Sequence, residues 1–176
     1  MATETAKAPA RVVKPISETK PPKALFKVIN LIMPRVLRSP KAKIGDQILL
    51  LTFTGRKSGK QYSTPIGYRK IDDQTLILFT DSPWYKNLRG GAPVKVLLKG
   101  RERTGWAVAD DDLDMLVRET AAHLRAHGLA GAREIGIMRL KFLPTEDELR
   151  IMLRDRAKIT VTLDPPGTAP RLQRAG

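Results

Sequence analysis

Thr52-Phe53-Thr54-Gly55-Arg56-Lys57-Ser58-Gly59-Lys60-Gln61-Tyr62-Ser63-Thr64-Pro65 is the stretch on which the fold is read. The apolar run Ile48–Leu51 enters it and Tyr62–Tyr68 leaves it. Five residues, Gly55 to Gly59, separate the two β-type runs, with glycine at each end. Glycine takes positive φ without a Cβ clash, so the spacing predicts a strand–turn–strand hairpin. Such a turn exposes backbone N–H groups that no ladder uses. Arg56, Lys57 and Lys60 place positive charge at the same tip. Together they suit a phosphate or carboxylate, through a backbone nest and charge-assisted hydrogen bonds. A basic tip is also what an ordinary water-facing turn presents. The stretch has neither the Walker A nor the Rossmann glycine spacing, and it runs into a strand pattern instead of a helix.

Outward from the hairpin, Gln47–Thr54 is almost continuously apolar and reads as a strand buried on both faces. Gln61–Lys70 is its partner, and Pro65, which cannot donate to a ladder, implies an edge or bulge there. Asp72-Asp73 is a turn and Thr75–Thr80 a third strand. Asp81-Ser82-Pro83 then starts a short helix, Trp84-Tyr85-Lys86-Asn87-Leu88-Arg89, which Gly90-Gly91 stops. Val94–Lys99 and Glu102–Asp110 make a second hairpin around Lys99-Gly100-Arg101. A helix follows from Asp110 to His127, with Leu113, Leu116, Val117, Thr120, Ala121 and Leu124 on one stripe and Gly128 at its end. Residues 129–143 give no clear pattern. Thr145 and Glu148 form a capping box for a helix to about Arg156, and Lys158–Leu163 alternates as a last strand. Six strands joined largely by hairpins, with few and peripheral helices, point to an antiparallel sheet or barrel.

Upstream, Leu25, Phe26, Ile29, Ile32, Met33, Val36 and Leu37 recur at helical spacing among cations, with Pro34 predicting a kink. This basic amphipathic segment, residues 23–38, suits either packing on its own domain or an anionic membrane surface. Residues 1–22 and 165–176 are rich in proline and poor in large apolar groups, so they read as tails around one domain at 23–164.

The 176 residues, 41% of them hydrophobic, suffice for one domain with a core of its own. Cysteine is absent, which excludes disulfides, Cys-ligated clusters and a Cys nucleophile and fits a reducing, cytoplasmic setting. Lys and Arg number 32 against 18 Asp and Glu, a formal net charge of +14, so polyanions are attracted. Aromatics are only 5% and no RNP-type motif occurs, so the charge predicts unspecific, salt-sensitive association and no specific nucleic-acid partner. His123 and His127 are four apart, but no Glu follows His123 and no further histidine exists, so no metal site is expected. Asp110–Asp112 and Asp114 are accounted for by a helix N-terminus. No Ser-His-Asp set is suggested. Trp84 and Tyr85 with Asn87 fit either an ordinary core anchor or a wall for a flat ligand.

Two motifs in this order carry a resemblance. Leu49–Lys60, followed by Thr64-Pro65, and Trp84-Tyr85-Lys86-Asn87-Leu88-Arg89 together resemble the deazaflavin (F420)-dependent nitroreductase family, over about residues 24–110. The resemblance implies an α+β split β-barrel that holds the reduced cofactor in a groove. It implies that Arg56, Lys57, Ser58 and Gly59 take the cofactor's phosphate and acidic tail. Thr64 and Pro65 would then pass along the deazaflavin ring, while Trp84, Tyr85 and Asn87 close the other side. The activity implied is hydride transfer to a flat small-molecule acceptor of quinone or nitro-compound type. No catalytic side chain is assigned; Tyr62, Tyr68, Tyr85 or water would protonate the product.

Two departures accompany the resemblance. Members often carry Pro-Arg where this chain has Gln61-Tyr62, which removes one phosphate-binding arginine and leaves Lys60 to stand in for it. Many also place a longer glycine-rich loop before the tryptophan, where this chain has only Asp81-Ser82-Pro83. Two further readings stand beside this one: a barrel using FMN, and a barrel without cofactor that binds lipid or another anionic ligand at a membrane through residues 23–38. Split barrels of this kind often pair as homodimers, though no interface patch is readable in the sequence.

Overall fold

A computed structural model describes residues 47–135, 137 and 140–165. The expected N-terminal tail and basic helix, and all but the first residue of the expected C-terminal tail, lie outside the described residues. Six strands form a closed barrel: β1 (Ile48–Thr54), β2 (Gln61–Lys70), β3 (Thr75–Thr80), β4 (Ala92–Leu98), β5 (Arg101–Asp110) and β6 (Ala157–Leu163). Their order around the barrel is β1-β2-β3-β6-β5-β4, and every neighbouring pair is antiparallel. A 3₁₀ helix (Pro83–Leu88) lies between β3 and β4. Helices α1 (Leu113–Glu134) and α2 (Glu146–Leu153) lie between β5 and β6.

Alternation along the strands decides what fills the barrel. Leu49, Leu51 and Phe53 of β1 join Leu76, Leu78, Val94, Val96, Ile159, Val161 and Leu163 in one buried cluster. The intervening face of β1 is more mixed than expected. Leu50 is buried beside its cross-strand partner Leu97, but Thr52 is half-buried and Thr54 exposed. Turn chemistry matches each hairpin. The Asp72 carboxylate accepts from the backbone N–H groups of Gln74 and Thr75, at 2.7 and 2.6 Å. Lys99 and Gly100 both take positive φ (48° and 77°), as a tight two-residue hairpin requires.

The joint between β2 and β3 is the short one. It runs only from Tyr68↔Leu78 to Lys70↔Leu76, whereas β1 and β2 pair from Ile48↔Gly67 to Thr54↔Gln61. Pro65 pairs with Leu50 on the β1 side and lies beyond the β2–β3 ladder. The edge expected at this proline is therefore present: on its β3 side, β2 is unpaired from Gln61 to Gly67. The 3₁₀ helix packs on the barrel beside β5 and β6: Leu88 is wholly buried, Tyr85 nearly so, and both belong to the barrel core.

The helices build a second core against the outside of the barrel. Leu116, Val117, Ala121 and Leu124 of α1 pack with Leu149, Met152 and Leu153 of α2, and Phe79 of β3 packs against them. Asp112 caps α1 by accepting from the Met115 N–H at 2.9 Å. Gly128, with φ 60° and ψ −154°, breaks the helix where expected, but helical structure resumes beyond it as far as Glu134. The expected capping box is present: Thr145 N–H donates to Glu148 at 2.8 Å and Glu148 N–H to the Thr145 hydroxyl at 3.3 Å.

β5 and β6 approach so closely that a Cβ at Gly105 would lie 2.4 Å from the Thr162 carbonyl oxygen. Gly105→Ala is expected to cost about 1–3 kcal/mol of stability, since backbone must move. Gly67→Ala, whose Cβ would stand an ordinary 3.7 Å from the Gln47 carbonyl oxygen, is expected to be neutral or mildly stabilising. Urea denaturation of the two variants checks the contrast.

Candidate functional site

The β1–β2 turn folds on its own backbone. Gly55 N–H donates to Lys60 O and Gly59 N–H to Gly55 O, each at 2.8 Å. Gly59 has φ +64°, a conformation that side-chain-bearing residues rarely adopt. Lys60 N–H turns to the Ser58 hydroxyl at 3.3 Å. The N–H groups of Lys57 and Ser58 make no hydrogen bond to the described residues. They are the spare donors that the glycine spacing predicts.

One contact ties this turn to the 3₁₀ helix. Asn87 Oδ1 accepts from the Arg56 N–H at 3.0 Å, while its Nδ2 donates to Trp84 O at 2.8 Å. The Arg56 guanidinium adds a hydrogen bond to the Arg89 carbonyl. The helix is held in turn from below. Arg89 forms a two-pronged ion pair with Asp111, and the Tyr85 hydroxyl donates to the same carboxylate at 2.9 Å. Arg89 beside Asp111 holds that carboxyl below its ordinary range. Burial, then the Asp111 carboxylate, pushes the Tyr85 hydroxyl up.

Between turn and helix lies a cleft of about 550 Å³, lined by Phe53, Gly55, Lys57, Ser58, Tyr62, Ser63, Thr64, Trp84 and Asn87. Phe53 stacks on Trp84 (centroids 5.2 Å apart, 23° between planes) and on Tyr62 (6.0 Å, 28°). The cleft thus has apolar, near-parallel walls at one part and a cation with spare N–H donors at another. That arrangement fits a flat ring system bearing an anionic group.

Of the residues expected at the site, Lys57, Ser58, Thr64, Trp84 and Asn87 share this cleft. Arg56, Gly59 and Lys60 lie in the turn but off the cleft wall, and Pro65 follows Thr64 along β2 without lining it. Tyr85 does not form a second ring of the wall: it is buried under the helix with its hydroxyl on Asp111. Phe53 and Tyr62 were missed as wall residues. Their signal is the hairpin register, since pairing Thr54 with Gln61 sets Phe53 opposite Tyr62 on the same face. Among the described residues no group of three or more His, Asp or Glu side chains is placed to hold a metal. No helix among them is long and apolar enough to cross a membrane.

Both signature segments are brought to one cleft. The family model described as F420H(2)-dependent quinone reductase matches residues 35–128, more than half of the chain. The protein belongs to this family, a family of F420-dependent oxidoreductases. No curated protein matches the chain. Solved structures that resemble it include a putative pyridoxamine 5'-phosphate oxidase from Listeria innocua, at 13% identity and TM-score 0.43, covering 78% of this chain and 94% of that one. A pyridoxamine 5'-phosphate oxidase-related, FMN-binding protein from Nostoc punctiforme shows 12% identity and TM-score 0.41, with 77% and 80% covered. An FAD- and haem-binding protein from Mycobacterium smegmatis shows 17% identity and TM-score 0.38, with 75% and 65% covered.

The Asp111 carboxylate supports a pH-dependent prediction. A carboxyl whose pKa is lower in the folded than in the unfolded state adds stability that is complete above about pH 5 and fades as pH falls through the depressed range. Asp111→Asn is therefore expected to lower the melting temperature at pH 7 and to flatten its acid limb. Melts between pH 7 and pH 3 check this; parallel curves for the two proteins would contradict it.

Proposed function

We propose that the cleft holds reduced F420 and that the protein transfers its hydride to a flat organic acceptor, a quinone or a nitro-compound. The carrying observation is the Arg56–Asn87 hydrogen bond, which joins the cationic turn and the aromatic wall into one elongated site. Reduced deazaflavin, when bound, supplies the hydride, and a proton completes reduction of the acceptor.

The chain's own part is binding and placement. Lys57 and the N–H groups of Lys57 and Ser58 hold the anionic end of the cofactor. Trp84 and Phe53 give the ring an apolar face, and Thr64 and Ser63 border it from β2. An acceptor would have to lie within about 3–3.5 Å of the bound ring, the distance that transfer requires. Of the three tyrosines considered as proton donors, Tyr62 is the one on the cleft wall. Tyr85 already donates its proton to Asp111.

A fluorescence titration with F420, with FMN in parallel and at two salt concentrations, tests the assignment. Saturable F420 binding that survives moderate salt is expected, with Lys57→Ala weakening it by about 1.5 kcal/mol, the low end for a hydrogen bond to a charged group. Reduction of a soluble naphthoquinone or nitroaromatic by the F420-loaded protein then checks the acceptor. Saturation by FMN without saturation by F420 would transfer the site to a flavin. Weak binding of both that vanishes with salt would leave only the effect of net charge.

A further inference from the structure

The cations of the hairpin tip are not equally placed for a ligand. Arg56 turns its guanidinium to the Arg89 carbonyl, and Lys60 lies off the cleft wall. Among the described residues, Lys57 is the one cation that lines the cleft. The Ser58 hydroxyl, on the residue beside it, already faces the Tyr62 hydroxyl at 3.2 Å.

Tyr62 takes that place by close packing. Its ring lies against Gly55, where a Cβ would be only 2.7 Å from Cε2, and stacks on Phe53. Trp84 stacks on the same Phe53. Two rings thus flank a third at near-parallel angles, and Tyr62 remains 47% exposed, with surface left for a ligand. The hold on a flat ring comes from Tyr62 and Trp84, both on the cleft wall. The hold on a charged tail comes from one cation and two N–H groups. Stacking of this kind tolerates any flat π-system, because it reads a face and not a hydrogen-bond pattern.

We propose that Tyr62 is a further ring-binding residue of the cleft, so that a flat ring system is held more by stacking than through its anionic tail. The inference rests on the assignment of the cleft as the deazaflavin site. A tyrosine at this position supplies ring surface and ties down Ser58. An arginine would supply a second cation and shift recognition to the tail.

The experiment titrates the full-length protein with F420 and with the deazaflavin riboside, which has the ring but neither phosphate nor acidic tail. Tyr62→Ala, Tyr62→Phe and Tyr62→Arg are measured beside it, each checked for folding by circular dichroism. The unsubstituted protein is expected to bind the two ligands within roughly thirtyfold of one another, the scale of one charged contact. Tyr62→Ala should weaken both alike, by about tenfold or more, as loss of a stacking face does. Tyr62→Phe should keep both affinities within a few-fold, showing that the ring and not the hydroxyl carries the effect. Tyr62→Arg should weaken the riboside as Tyr62→Ala does, while the added cation returns F420 to near its original affinity. A riboside more than about three-hundredfold weaker than F420, or a Tyr62→Ala variant that binds both as before, overturns the role of Tyr62 while the cofactor assignment stands. Binding of neither ligand by the unsubstituted protein overturns the assignment and the inference together.

Discussion

The short ladder between β2 and β3 is the constraint from which the site follows. Pairing stops at Tyr68↔Leu78, while β2 continues along β1 to Gln61. The length of β2 without a β3 partner carries Tyr62, Ser63 and Thr64, three residues of the cleft wall. Pro65, without an N–H to give, sits where the second partner is missing. The chain leaving β3 turns into the 3₁₀ helix, which packs on the barrel with Leu88 and Tyr85 and turns Trp84 toward Phe53. The cleft is what remains between this helix and the β1–β2 turn.

A turn and a short helix that merely approach each other do not make a site; their relative position must be held. Asn87 does this with both ends of its amide, taking the Arg56 N–H and giving to Trp84 O. The support continues outward through Arg89 to Asp111, which immediately precedes the cap of α1. Charged groups at this rim are partly exposed, so each link contributes modestly, and their common effect is to fix geometry more than to add stability. The cost of a loosened cleft would therefore be expected in binding before it is seen in folding.

Much of this was legible in the chain. The strands, the hairpin centred on Arg56–Ser58, the edge at Pro65, the capping box at Thr145 and the break at Gly128 all follow from local chemistry: glycine, proline and short polar side chains act within a few residues of themselves. What escaped depended on distant partners. The helical turn beyond Gly128 is held by Ala132, Ile135 and Ile137 packing into the second core, which no local pattern announces. Tyr85 looked equivalent to Trp84 because the two are adjacent, yet adjacent residues on a 3₁₀ helix point about a third of a turn apart, so one faces the cleft and the other Asp111. Phe53 read as core, and it is core; its second role as floor of the cleft comes from its place at the open end of the barrel.

One cleft, between the Arg56–Ser58 turn and the 3₁₀ helix, is proposed to receive the cofactor. A crystal structure of the full-length protein with F420 tests it most directly. The ring is expected against Trp84 and Phe53, and the phosphate within hydrogen-bonding distance of Lys57 and the Ser58 N–H. A ring bound elsewhere on the barrel, or a phosphate held away from the turn, would contradict it.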